Sequence, residues 1–338
     1  MTIPTHQRVV LLRDFGGPDR LAVVERSVAQ PRAGEVLVKV LAASVQFTDI
    51  MLRKGQYPDL KEKPPLVLGY DLVGEVVKVG PGVTSPTVGQ RVADLTMTGS
   101  YAQYRTLVAE HCAIVDASLE PAEATSLVLS WMTAYQLLHR DAHVLPGQKL
   151  LVIGAAGAVG QALVVLAKLA GCDVWGAASE RHADFVRALG ATHVDRAVAD
   201  LGQVLPERFD AVFDGIAEQG FSRAWHAVGP RGHLSAFGIS AGIQRNVSIA
   251  RVGFWFAKLW WWNLVSSGRS TNFYSITSLR RKHPEWFVVD LEHLLGMLKR
   301  GEIQPRIADR IGLDAVAQAH VRIERGGLEG KIVLIPNG

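Results

Sequence analysis

The chain has 338 residues, 48% hydrophobic and 20% charged, a balance that suits two globular domains and excludes a disordered polymer. Its net charge of +4 comes from scattered lysines and arginines with no long basic run, so nothing points to nucleic acid. The two cysteines, Cys112 and Cys172, form no CxxC pair, which excludes a disulfide framework and a four-cysteine zinc site and fits reduced thiols in a cytoplasmic setting.

The segment Met1–Val10 is polar and lacks the apolar core of a signal peptide. Glu35–Ser44 partly alternates and predicts a strand. A turn-rich stretch follows with Gly55, Pro58, Pro64, Pro65 and Gly69, then a second strand over Leu72–Val79 closed by Gly80-Pro81-Gly82. Short strands separated by Gly and Pro continue to about Asp116, so the first third reads as mostly β and barrel-like. Pro121–His139 has helical composition. From Lys149 the pattern alternates: strands at Lys149–Ile153, Asp173–Ala177, Phe209–Phe213 and His233–Phe237, helices at Ala158–Ala170, His182–Leu189 and Gly220–Val228. This βαβαβ rhythm predicts a doubly wound parallel sheet with helices on both faces. The tail carries a helix at Val289–Lys299, a segment Ile303–Ile311, a helical stretch Leu313–Arg322 and a last strand Lys331–Ile335. It is expected to complete the first domain, so that residues 1–127 and 271–338 form one domain around an inserted domain of residues 128–270. The most apolar stretch, Ile249–Val265, contains Arg251, Lys258 and Asn263 and is shorter than the roughly 20 residues a membrane span needs, so no transmembrane helix is predicted.

The strongest local signal is Gly154-Ala155-Ala156-Gly157-Ala158-Val159-Gly160, between a predicted strand and a predicted helix. Small residues let the chain turn sharply, present backbone N–H groups to a pyrophosphate and pack the helix on the sheet; the helix N-terminus then favours the diphosphate charge. Cofactor choice falls on the end of the second strand. There Ser179 can hydrogen-bond a 2′-phosphate and Arg181 can pair with it, which favours NADP(H); a shift of one residue would instead make Glu180 the acid that binds the ribose of NAD.

Ala43-Ser-Val-Gln-Phe-Thr-Asp-Ile50, Arg53-Lys-Gly-Gln-Tyr-Pro58, Gly69-Tyr-Asp-Leu-Val-Gly74, Thr133-Ala-Tyr135, the glycine turn and Gly330-Lys-Ile-Val-Leu334 follow one another in this order. In these segments the chain resembles, over nearly its whole length, the medium-chain dehydrogenase/reductase superfamily in its quinone oxidoreductase branch, near zeta-crystallin and the VAT-1-like proteins. The resemblance implies a Rossmann domain inserted in a GroES-like, mostly β domain, and a homodimer. Zinc enzymes of this superfamily carry Gly-His-Glu where this chain has Gly69-Tyr70-Asp71. The cysteine expected near Val45–Asp49 and the cysteine-rich lobe are also missing, so the ligands a catalytic zinc needs are gone and no metal is expected.

Without zinc, hydrogen-bond donors must carry the charge that builds on an oxygen when hydride reaches an electrophilic carbon. Tyr57 resembles the tyrosine that zinc-free enoyl reductases place after the R-x-G motif, and its phenol can donate a hydrogen bond or a proton. Gln46 stands where related reductases carry Asn near the nicotinamide ribose and substrate; Asp49 is read equally as a helix cap. Thr133 resembles the family's cofactor-contacting threonine, and Phe237-Gly238-Ile239 ends the fourth strand where the family's backbone meets the nicotinamide. Phe254–Trp262 holds four of the eight tryptophans and is read as a buried helix or dimer contact, a lid, or a membrane-surface contact. The resulting expectation is an NADPH-dependent, zinc-independent reductase of quinones or α,β-unsaturated carbonyls. The alternatives are an enoyl-thioester reductase and a non-catalytic, membrane-peripheral NADPH-binding protein of the VAT-1-like kind.

Overall fold

The computed structural model describes residues 2–197, 201, 205, 208–240, 242, 247–266 and 268–338. It divides into two compact units, one made of Met1–Met132 and Arg280–Gly338, the other of Thr133–Leu279. The first unit opens with eight strands: β1 (His6–Leu12), β2 (Leu21–Ser27), β3 (Glu35–Val45), β4 (Leu66–Val67), β5 (Leu72–Val79), β6 (Arg91–Asp94), β7 (Tyr104–Val108) and β8 (Ala113–Val115). Strand β3 is its backbone. It pairs with β5 and with β7, and Val36, Leu37, Val38 and Val40 are all buried, so its apolar run is nearly continuous instead of alternating. One short helix, Phe47–Arg53, follows β3 directly.

A helical run from Pro121 to Asp141, partly of wider π pitch, leads into the second unit. Asp141 ends it, and its carboxylate accepts hydrogen bonds from Ser235 and Asn272 of the sheet and faces His233 at 3.3 Å. That sheet contains β9 (Lys149–Ile153), β10 (Asp173–Ala178), β11 (Thr192–Asp195), β12 (Phe209–Asp214), β13 (Val228–Ala236) and β14 (Ser270–Phe273). All neighbours are parallel, and the spatial order is β11-β10-β9-β12-β13-β14, the arrangement of a dinucleotide-binding domain with its reversal between β9 and β12. Strand β13 begins at Val228, earlier than the expected His233: Val228 already pairs with Phe209, and the register then shifts before Ala211 meets His233. The strands β11 and β14 have only four residues each, too few for a periodic signal.

The tryptophan-rich segment is a helix, Ile249–Val265, capped by the Ser248 hydroxyl accepting from the Arg251 N–H. Only one side of it is buried, through Trp255 and Leu259, with Trp262 stacked on Trp225 at 4.8 Å. The expectation of a buried helix is therefore corrected, because Phe254, Trp260, Trp261 and Leu264 are 64%, 66%, 54% and 65% exposed. Asn263 seals the helix to β14, its amide donating to the Thr271 carbonyl and accepting from the Thr271 N–H, both at 2.7 Å.

The chain then returns to the first unit. Ile303–Ile311 supplies strand β15 (Ile307–Ile311), and β16 (Lys331–Leu334) pairs parallel to β15 and antiparallel to β3. The helix Val316–Arg325 between them packs near the helix Phe47–Arg53 through charge: the fully buried Arg53 meets Glu324 at 3.0 Å, and Lys54 meets the same carboxylate at 2.7 Å. A buried guanidinium left without its carboxylate is costly. Since Glu324 keeps 27% exposure, Glu324→Ala is expected to lower stability by about 3 kcal/mol, the lower end for breaking such a pair. Urea unfolding of the two chains checks this.

Candidate active site

In the first unit Gln46, Asp49 and Asp71 come together at the start of the helix Phe47–Arg53, and Tyr57, in the loop after that helix, meets Tyr70, the neighbour of Asp71. Gln46 is the residue before that helix, and the Asp49 side chain reaches back to accept its backbone N–H at 3.0 Å, which makes Asp49 the helix cap that was one of its two readings. The Gln46 side-chain amide is engaged at both ends. Its Nε2 donates to Asp71 Oδ2 at 3.0 Å, and its Oε1 accepts from Lys331 Nζ. Asp71 Oδ1 accepts the Ser44 N–H at 2.8 Å.

Asp49, Asp71 and Lys331 are all buried, and their titration follows from that. Burial first, and then the neighbouring Asp71, push the Asp49 carboxyl up to about 8. Burial also raises Asp71, against the opposing pull of Lys331 and its hydrogen bonds, and lowers Lys331, against the pull of the two carboxylates.

Asp71 is aimed by the turn before it. Gly69 has φ +105°, and a Cβ there would lie 2.2 Å from Ser100 Oγ and 2.6 Å from the Tyr101 nitrogen, so no side chain fits. The next carbonyl, that of Tyr70, accepts the N–H groups of Thr96 and Met97 at 2.9 and 3.0 Å. Its phenol, fully buried, reaches the Tyr57 hydroxyl at 2.5 Å, and the two rings meet edge to face at 5.6 Å. Tyr57 itself is half-buried, in the loop after the helix. Sequence reasoning treated Tyr70 only as a missing histidine; nothing in the intervening Pro-rich loop announces the contact. Lys331 was noticed only as part of a motif. Among the described residues no three His, Cys, Asp or Glu side chains form a group that could hold a metal.

In the second unit the turn Gly154–Gly160 follows β9 at the point where the strand order reverses. Gly157 precedes the helix Ala158–Leu169. At Gly160 a Cβ would lie 2.1 Å from the Gly154 carbonyl oxygen and 2.8 Å from Ala155 Cα, so the helix can approach the turn this closely only with glycine at that position. The Ala156 carbonyl is held by Gln161 Nε2 at 2.9 Å, and Val159 lies in the first helical turn. These features fit a diphosphate at the helix N-terminus. Ser179 follows β10 and makes no side-chain cap hydrogen bond, and Arg181 is exposed with its Nε on His182 at 3.1 Å. Glu180 is also exposed, 3.9 Å from His193. The Phe237 N–H donates to the Asp214 carbonyl at 3.0 Å. A Cβ on Gly238 would lie 2.5 Å from the Gly215 oxygen, so Phe237, Gly238 and Ile239 leave the end of β13 packed on the turn after β12. Thr133 is buried in the helix Met132–Gln136. The structure thus gathers the glycine turn and Phe237–Ile239 at the C-terminal edge of one sheet, with Ser179 and Arg181 at the end of the adjoining strand.

A dinucleotide-binding sheet and a GroES-like β unit are the two parts of a dehydrogenase or reductase. Residues 32–117 match the Alcohol dehydrogenase GroES-like domain, and residues 189–334 match the Zinc-binding dehydrogenase family. The chain is 30% identical to a 2-haloacrylate reductase of Burkholderia sp over 95% of this chain and 96% of that one. It is 28% identical to the synaptic vesicle membrane protein VAT-1 homolog of Rattus norvegicus, over 97% and 84% of the two chains. The solved quinone oxidoreductase of Escherichia coli, complexed with NADPH, superposes with a TM-score of 0.86 at 25% identity, covering 97% of this chain and 100% of that one. The chain belongs to the medium-chain dehydrogenase/reductase superfamily, in its quinone oxidoreductase and VAT-1-like branch, and its broad class is oxidoreductase.

The Asp49 carboxyl gives a pH signature. Its folded value of about 8 lies above the ordinary 3.8, so the folded chain binds an extra proton between these values and its stability falls as pH rises through that window. Asp49→Asn mimics the protonated form, and its stability is expected to decline less between pH 5 and 8 than that of the native chain. Urea midpoints across that range measure the difference.

Proposed function

We propose that this protein is an NADPH-dependent, metal-independent reductase of quinones or α,β-unsaturated carbonyls. The observation that carries the reading is the glycine turn at the reversal point of the parallel sheet, where a side chain at position 160 would strike the Gly154 carbonyl. The turn's N–H groups and the helix start at Ala158 hold a diphosphate. Ser179 and Arg181 take the 2′-phosphate by charge-assisted hydrogen bonds, while Thr133 and Phe237–Ile239 support the nicotinamide end. Bound NADPH supplies the hydride. On the substrate side, Tyr57 donates from Oη to the carbonyl oxygen as negative charge builds there, and carries the proton that the enolate takes up. Gln46 holds Lys331 and Asp71 together next to Tyr70, the residue that Tyr57 touches. Activated alkenes as substrates accord with the 2-haloacrylate reductase relative, and enoyl thioesters belong to the same chemical series. The active form is a homodimer, as the resemblance to quinone oxidoreductases implies.

The test is NADPH oxidation by metal-chelated protein against quinones, enones, unsaturated acids and enoyl thioesters, with NADH alongside. Turnover with NADPH preferred over NADH is the expected result, and Arg181→Ala ought to weaken NADPH about tenfold while sparing NADH, the size of a lost charge-assisted bond. Equal use of both cofactors would transfer the ribose contact to Glu180. NADPH binding without turnover on any class would leave a cofactor-binding protein.

A second reading, peripheral attachment to an anionic membrane, is favoured by one observation. Between Glu218 and Glu285 the chain has nine lysines and arginines and no acidic residue, and this stretch contains the helix that exposes Phe254, Trp260, Trp261 and Leu264. Aromatic side chains beside basic ones suit the interfacial region of such a bilayer. Among the described residues no helix is long and apolar enough to cross a membrane. Co-sedimentation is expected with vesicles containing phosphatidylserine and not with neutral ones, and is expected to be lost in Trp260→Ser/Trp261→Ser. If that double variant instead turns dimers into monomers and vesicles never bind, the exposed face is a contact between copies.

A further inference from the structure

The buried phenol of Tyr70 has a proton that needs an acceptor. A hydroxyl removed from water is costly to leave unpaired. Tyr70 is fully buried, and among the described residues the oxygen within reach of its hydroxyl is that of Tyr57, at 2.5 Å. The geometry alone would allow either hydroxyl to donate, and burial decides between them: if Tyr57 donated inward, the Tyr70 proton would be stranded. Tyr70 therefore donates and Tyr57 accepts. The Tyr57 oxygen keeps its own proton, which is then directed away from Tyr70.

This arrangement has a chemical consequence for the reading of Tyr57 given above, on which it rests. A hydrogen bond donated to a phenol oxygen stabilises the phenolate more than the phenol, so it makes Tyr57 the stronger acid of the pair. We infer that Tyr70 is a positioning residue: it orients the Tyr57 proton toward the substrate oxygen and stabilises the Tyr57 phenolate left when that proton is transferred. The proton balance closes within the reaction. Tyr57 loses one proton to the enolate oxygen or carbon and regains one from solvent, while Tyr70 keeps its own throughout.

The surroundings agree. Tyr70 cannot easily ionise itself, because burial first and then the adjacent Tyr57 hold it well above the ordinary tyrosine range. The charged groups facing it are Asp59, from the loop after Tyr57, and Asp49, from the short helix. Asp59 faces Arg281 at 3.7 Å. Asp49 faces Asp71, Lys331 and the Tyr101 phenol. None of these changes when the Tyr70 hydroxyl alone is removed. The Tyr70 backbone is fixed independently by the Thr96 and Met97 N–H groups, so the hydroxyl can be deleted without releasing the turn.

The test is the pH dependence of kcat in Tyr70→Phe and Tyr57→Phe, with NADPH affinity as the check on folding. If Tyr57 is the acid, activity falls at high pH as Tyr57 loses its proton, and Tyr57→Phe removes that fall together with most of the rate. Tyr70→Phe is expected to keep NADPH affinity, to lower kcat about tenfold, and to move the alkaline fall upward by about one pH unit, the size of a lost hydrogen bond to a charged group. A fall that stays in place in Tyr70→Phe but disappears in Tyr57→Phe overturns the role of Tyr70 and leaves Tyr57 standing. A fall and a rate unaffected by Tyr57→Phe overturn both. Should Tyr70→Phe fail to fold, the native chain labelled with ¹³Cζ-tyrosine gives the answer. Tyr57, assigned by its absence from Tyr57→Phe, is expected to ionise before its hydrogen-bonded partner; ionisation of the partner first overturns the inference.

Discussion

A single side-chain amide joins a buried cation to a buried anion in the first unit. Lys331 and Asp71 are both removed from solvent, and each would be prohibitive alone. Gln46 makes the pair tolerable by turning its carbonyl to one and its amine to the other. The three residues come from separate pieces of chain: the last strand, the start of the short helix, and the turn leading into β5. Their mutual need for partners therefore sets where those pieces meet. Once Asp71 is fixed, the neighbouring Tyr70 is fixed too, and through it the half-buried Tyr57. The electrostatic bridge and the proposed proton donor are two ends of one arrangement. Asn at position 46 would keep the amide but lose one methylene of reach, which gives a physical reason for glutamine here.

The second unit is built on a different constraint, the close approach of backbone to backbone. At Gly160 and Gly238 an added Cβ would enter a carbonyl oxygen's space. The helix after β9 is thereby seated on its own turn, and the turn after β13 on the turn after β12. Asp214 at the end of β12 accepts the N–H groups of Ile216 and Ala217, and burial still pushes its carboxyl up to about 6. Such a surface offers backbone N–H groups and little side-chain bulk, which suits a flat, charged dinucleotide better than a bulky apolar ligand.

Much of this is legible in the sequence. The strands Lys149–Ile153 and Leu72–Val79 are bounded by glycine and proline and have enough apolar residues to declare themselves. The inserted domain follows from the βα alternation between two β-rich segments. Three kinds of feature were not legible. Four-residue strands such as Thr192–Asp195 carry no measurable period. The helix Ile249–Val265 carries tryptophan and phenylalanine on its outer face as well as its inner one, so hydrophobicity says nothing about which side is buried. Contacts such as Tyr57 with Tyr70, Gln46 with Lys331 and Arg53 with Glu324 depend on where loops and distant strands deliver their ends. Replacement of the zinc enzymes' histidine by Tyr70 was visible as a loss; that the same position brings a phenol to the Tyr57 hydroxyl required the fold.

The pairing of β16 with β3 bears on how the protein is made. Lys331 and Gln46 are 285 positions apart, yet β16 joins the same sheet: β3 has β5 along one edge, while its other edge is covered by β7 at Glu35–Lys39 and by β16 at Ala43–Val45. During synthesis the N-terminal strands must wait, with the Ala43–Val45 end of their longest strand open along the edge that β7 leaves uncovered, until β16 has left the ribosome. The second unit is contiguous in sequence and has no such wait, so it can complete its sheet first. An open strand edge is a site for wrong pairing, and this one persists longest in the chain's life. Its exposure time is set by translation speed, which makes yield of the folded protein sensitive to how fast the inserted unit is made.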